Sequence, residues 1–202
     1  MELTKKMKVA IDIDGVIARW SERFIEFTNT LYNRNNNAED ITTWEFWTLD
    51  EIEMTKEEFL RGQDLFCQYR MWQTIETFEY ATDALTAIDA DGFDIYYLTS
   101  RPKGSERATL KFILKNGIPF GNGLIFCKSN EKAHIAGQLG VSVAIDDNVD
   151  TINSYVKAGI RSVALLHRYN VKYLLNSYCS TVHNLKEFHS YLLEYRKNPV
   201  KK

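Results

Sequence analysis

Short apolar runs alternate along the chain with longer stretches of helical character. Val9–Ile13 is the first run, dense and β-branched, and it reads as a buried strand. Arg19–Tyr32 has helical composition, and the asparagines of Asn33–Asp40 mark a loop. Thr55 with Glu58 three residues on has the spacing of a capping box, which predicts a helix running to about Tyr69. Ala81–Ala90 follows as a helix stopped by Gly92, then Phe93–Leu98 as a strand. Ser105–Asn116 is the next helix, with Ser105 as its N-cap and Gly117 as its stop. Leu124–Cys127, Val141–Ile145 and Arg161–Leu166 read as strands. Glu131–Leu139, Val149–Ala158 and Asn184–Arg196 read as helices, the first two closed by Gly140 and Gly159.

Strands separated by single helices predict an α/β fold with a doubly wound, parallel, Rossmann-like sheet. Function in such folds collects beyond the C-terminal ends of the strands. The residues at those ends are polar and mutually coherent. The first strand runs into Asp12 and Asp14, which alternation places on one face. The second ends in Thr99-Ser100-Arg101. The third leads to Lys128 and Lys132, and the fourth ends in Asp146-Asp147. Carboxylates crowded together raise one another's pKa. A divalent hard cation resolves that conflict, and Mg²⁺ favours oxygen ligands of this kind.

This constellation resembles the haloacid dehalogenase superfamily of phosphatases. The four motifs occur in the right order: Asp12-Ile-Asp14-Gly-Val, Thr99, Lys132 and Asp146-Asp147. The resemblance implies that Asp12 attacks phosphorus and that Asp14 serves as general acid and base. It implies that Thr99 and Lys132 offset phosphoryl charge. It further implies Mg²⁺ held by Asp12, Asp14 and an aspartate of the 146–147 pair. Which of those two aspartates ligates, and whether Lys128 or Lys132 is the motif lysine, stays open at this point.

The stretch between Asp14 and Thr99 is far longer than one crossover helix needs. In this superfamily an insertion there is a helical cap over the active site. The expected division is a core of residues 1–18 and 78–202 with a cap of residues 19–77. All four tryptophans fall in that insertion, together with many of the phenylalanines. Most of these aromatics are expected to be packing. Trp44-Glu45-Phe46-Trp47, beside a polar loop, resembles the aromatic base pocket of the 5′(3′)-deoxyribonucleotidase branch. Trp44, Phe46, Trp47, Ser100 and Arg101 are therefore the expected substrate contacts. The substrate class so implied is a nucleoside monophosphate. Another phosphorylated metabolite or sugar phosphate, or a non-catalytic nucleotide-sensing module, are the alternatives.

Composition narrows this little. A formal net charge of −2 carries no electrostatic footprint for a nucleic-acid polymer. The three cysteines are scattered, without a CxxC, so neither a zinc knuckle nor a disulfide framework is suggested. Met1–Lys8 is polar, and no apolar stretch approaches the roughly 20 residues of a membrane span. The expectation is a cytoplasmic monomer or homodimer with a small-molecule partner and no membrane partner. Basic residues at the end, Arg196–Lys202, read as a solvated tail.

Overall fold

The computed structural model describes residues 6–174 and 178–198. Parts of the polar start and the basic tail thus lie outside the described residues. The sheet is six-stranded and wholly parallel. It comprises β1 (Lys8–Ile11), β2 (Asp94–Thr99), β3 (Gly123–Phe126), β4 (Val143–Asp146), β5 (Arg161–Leu165) and β6 (Ser180–Val182). Their spatial order is β3-β2-β1-β4-β5-β6. The chain builds outward from β1 in one direction through β2 and β3, then returns to the other side of β1 with β4. The order reverses beside β1, and a crevice opens at the C-terminal ends of β1 and β4. Central strands covered on both faces must be apolar throughout. Val9, Ile11, Val143 and Ile145 accordingly have no exposed surface.

Helices flank the sheet: α1 (Trp20–Tyr32), α2 (Lys56–Gln68), α3 (Ala81–Ala90), α4 (Glu106–Lys115), α5 (Lys132–Leu139), α6 (Val149–Lys157), the short α7 (Val171–Leu174) and α8 (Leu185–Lys197). The expected capping box of α2 forms: Thr55 Oγ1 accepts from Glu58 N, and Glu58 Oε2 accepts from Thr55 N. Ser105 takes the N-cap position of α4, as expected, but without a side-chain capping bond. Its hydroxyl donates to the Pro102 carbonyl at 2.7 Å, because Pro102 turns the chain back over it. The three-residue β6 and the one-turn α7 carry no sequence pattern long enough to announce them.

The insertion after β1 contains α1, α2 and three 3₁₀ turns at Ala38–Asp40, Phe46–Thr48 and Met71–Thr74. It shares one hydrophobic cluster with the sheet, so Phe24, Phe46 and Phe66 belong to the same core as Val9 and Ile145. Its two chain connections run side by side as a short antiparallel neck. Ala18 bridges Thr77, Arg19 N donates to Glu76 O at 2.9 Å, and Phe78 N donates to Ile17 O at 2.9 Å.

Candidate active site

Strand β1 stops at Ile11, two residues earlier than its sequence pattern predicts, so Asp12 and Asp14 lie beyond the ladder. Asp12 N still donates to Ile145 O at 3.1 Å, which holds Asp12 beside the end of β4. The chain then folds tightly on itself. The Ile13 carbonyl accepts from the amides of Ile17 and Ala18, both at 2.8 Å, and Gly15 takes a left-handed φ of 81°. A side chain at Gly15 is impossible as built, since a Cβ would meet Asp147 Oδ2 at 2.0 Å.

Asp12, Asp146 and Asp147 are all buried, and a ligand atom from each lies within 4.8 Å of the others. Lys132, at the first residue of α5, extends between them. Its Nζ is 2.7 Å from Asp12 Oδ1 and 2.9 Å from Asp146 Oδ2. Lys128 is exposed and takes no part. Burial pushes the Asp12 carboxyl up to about 7, with Lys132 opposing and Asp146 and Asp14 adding to the rise. Burial likewise drives Asp147 well above the carboxylate range. Burial acts to lower Lys132, yet Asp12 and Asp146 hold its ammonium well above the ordinary lysine value. Three buried carboxylates against one ammonium leave a charge deficit that a hard divalent cation fits.

Asp14 belongs to a second pair. Arg101 grips it bidentately, Nε to Oδ2 and Nη2 to Oδ1, both at 2.8 Å. The guanidinium is fully buried. It donates to Thr109 Oγ1 at 3.1 Å and lies between the rings of Trp72 (4.8 Å) and Phe112 (5.0 Å). A planar guanidinium suits such a slot, where an ammonium could neither stack nor fork.

Above these groups lies a cavity of about 630 Å³, within the range of small-molecule sites. Asp12, Asp14, Lys132, Asp146 and Asp147 form its floor. Trp20, Trp44, Phe59 and Trp72 form apolar wall, and Gln63 and Asp64 of α2 add polar groups. The indole N–H groups of Trp20, Trp44 and Trp72 are buried without an acceptor among the described residues.

Not every expected contact reaches this cavity. Ser100 and Arg101 line it, and the Ser100 hydroxyl pairs with that of Ser129 at 2.9 Å. Thr99 is fully buried beside it, where its Oγ1 accepts from Arg101 N at 3.3 Å. Trp44 faces the cavity, while Phe46 and Trp47 do not. Phe46 is buried among Trp20, Phe24 and Phe59, and Trp47 packs on Phe59 at 4.9 Å. Trp20 and Trp72 supply the wall that the sequence pattern assigns to Phe46 and Trp47.

The segment after β5 is a contributor that the motifs do not announce. Tyr169 donates to Asp147 Oδ2 at 2.6 Å, and Asn170 Nδ2 donates to the Asp147 and Leu165 carbonyls, both at 2.8 Å. His167 Nε2 donates to the Gly15 carbonyl at 2.7 Å. The one signal in the sequence is a run of hydrogen-bonding residues directly after a strand end.

Similar folds recur among solved structures. A haloacid dehalogenase-like hydrolase from Streptococcus pneumoniae superposes with a TM-score of 0.68 at 13% identity, covering 93% of this chain and 98% of its own. A haloacid dehalogenase family hydrolase from Deinococcus radiodurans, solved with phosphate and sodium, gives 0.68 at 16% identity, covering 94% and 96%. Fold and site together define a phosphomonoester hydrolase of the haloacid dehalogenase class. Within that class, the chain belongs to the family described as "5′ nucleotidase, deoxy (Pyrimidine), cytosolic type C protein", whose model matches residues 6–193. A Bacillus cereus protein named "Putative nucleotidase" is 26% identical over 172 residues, covering 81% of this chain and 88% of that one. A nucleotidase from Clostridium acetobutylicum is 22% identical over 168 residues, covering 83% and 84%.

Proposed function

We propose that this phosphatase is Mg²⁺-dependent and hydrolyses nucleoside monophosphates through an aspartyl-phosphate intermediate. One observation carries the reading: a single cavity combines a carboxylate-and-lysine floor, suited to phosphate, with a tryptophan wall, suited to a flat base. The family membership and the nucleotidase relatives support the same substrate class.

The chemistry follows from the floor. An Asp12 carboxylate oxygen attacks phosphorus as the ester P–O bond breaks. Asp14 gives a proton to the departing alkoxide. Water then attacks the phosphorus of the acyl phosphate, Asp14 takes its proton, and the Asp12 carboxylate leaves. Arg101 orients Asp14 throughout, since each carboxylate oxygen retains a second lone-pair site beyond the one it uses. Lys132 offsets the negative charge gathered on Asp12 and the phosphoryl oxygens. Ser100, with Thr99 behind it, supplies hydroxyl donors at the end of β2. The Asp12 carboxylate, the Asp14 carbonyl and an aspartate of the 146–147 pair would hold Mg²⁺. The cation supplies electrostatic shielding between anionic nucleophile and anionic substrate. Residues 19–77 act as the cap whose inner face selects the substrate. A cytoplasmic monomer or homodimer completes the reading.

A phosphate-release screen over nucleoside monophosphates and sugar phosphates, with chelator and with Mg²⁺ restored, tests it. Nucleotides should be preferred, and turnover should cease in chelator and return with Mg²⁺. Equal turnover in metal-free buffer would refute the cation assignment. A preference for sugar phosphates would refute the nucleotide one.

A further inference from the structure

We propose that Tyr169 is a positioning residue for the cation site and couples that site to the cavity wall through Trp44. This rests on the reading that the carboxylate triad holds a divalent cation.

Asp147 is the member of the triad that Lys132 does not bind. Its carboxylate is fixed instead from behind. Tyr169 donates to Oδ2 at 2.6 Å, and the bare backbone of Gly15 closes against the same oxygen. The Asp147 carbonyl is pinned by Asn170. Tyr169 has little freedom of its own. Its ring is stacked on His167 at 4.8 Å and 14°, and His167 is anchored to the Gly15 carbonyl. The His167 amide donates to Asn170 Oδ1 at 2.8 Å, which folds residues 167–170 into one unit. A carboxylate so gripped presents its remaining lone pairs in one direction, and such support governs how well a ligand set binds its metal.

The Tyr169 ring also meets Trp44, with ring centroids 4.7 Å apart and planes tilted by 54°. Trp44 belongs to the insertion and lines the cavity. The path from the cavity wall to the triad is therefore one aromatic contact and one hydrogen bond. Any shift of the Asp147 carboxylate on cation binding is felt at Trp44, and by linkage a ligand seated against Trp44 changes cation affinity.

Tyr169→Phe keeps the stack and removes only the hydroxyl. Calorimetric titration of Mg²⁺ into the full-length, chelator-treated variant should give a Kd raised about tenfold. Its thermal unfolding in chelator should stay near that of the wild type. A Kd within twofold of wild type in a folded variant overturns the proposal. Wild-type protein provides a second measurement that needs no folded Tyr169 variant. Mg²⁺ should produce a saturable change in tryptophan emission, and Trp44→Phe should abolish most of it. Emission that stays constant while calorimetry saturates, or a change that survives in Trp44→Phe, overturns the link to the wall. Wild-type protein that binds no Mg²⁺ at all overturns the cation reading itself, and this inference with it.

Discussion

At the residue scale, the site turns on Asp12 and Asp14 having different partners. Asp12 shares Lys132 with Asp146, whereas Asp14 is held, among the described residues, by Arg101. Asp12→Asn should leave the fold intact and lower turnover by many orders of magnitude, because an amide cannot serve as the nucleophile. Activity within about tenfold of wild type would exclude the covalent route. Asp14→Asn should lose about 10²–10⁴ in kcat on a nucleotide. The loss should be smaller on p-nitrophenyl phosphate, whose leaving group needs no proton. Equal losses on both substrates would argue against a general-acid role. These two aspartates were legible in the sequence because an apolar strand cannot end in paired charges without a task. Lys132 and the Asp146-Asp147 pair are legible only through the family resemblance, which leaves Lys128 beside Lys132 and does not choose between the two aspartates. Tyr169 and Asn170 are not. They follow β5 in a segment with no periodicity, and their partners lie at Asp147 and Leu165, which no local pattern connects.

At the element scale, the insertion holds the main departure from the sequence reading. Trp44-Glu45-Phe46-Trp47 was expected to face the substrate as a unit, yet a 3₁₀ turn at Phe46–Thr48 points its members in different directions. Trp44 reaches the cavity, and Phe46 turns into the core with no exposed surface. Aromatic density marks a pocket and a core alike, so only the turn geometry decides between them. Phe46→Ala should therefore cost about 3–5 kcal/mol of stability and act on all substrates alike. Trp44→Ala should weaken nucleotide binding by about 1–3 kcal/mol and affect a small aryl phosphate less. Comparing thermal unfolding with kcat/KM on both substrates separates the two. Helix α2 carries Phe59, Gln63 and Asp64 to the cavity and depends on the Thr55 capping box. Thr55→Ala should cost about 1 kcal/mol, visible as a melting temperature lowered by about 2–4 °C.

At the scale of the whole molecule, one half-buried imidazole ties the turn after β1 to the segment after β5. Burial lowers the pKa of His167, with the Gly15 carbonyl and the Glu22 charge acting the other way. Phe78 and Tyr169 pack on its two sides. The folded protein thus favours neutral His167. Its contribution is fully present above the unfolded pKa of about 6.5 and is lost as the pH falls below that value. Denaturant titrations from neutral to mildly acidic pH should show wild type losing stability more steeply than His167→Gln, and parallel curves would rule the contribution out. The general plan of the molecule is readable because every strand and helix except β6 and α7 is long enough to show its period. The neck between Ala18 and Thr77 is not, since a single bridge leaves no pattern. That neck bears on how far the insertion can vary in length. Because the two ends of the insertion already meet there, a change in the length of its loops costs little in closure entropy. What resists change is the packing, since Phe24, Phe46 and Phe66 share one cluster with Val9 and Ile145. Length is cheap there and ring placement is not: Trp72 over Arg101 and Trp44 against Tyr169 are the fixed points of the segment.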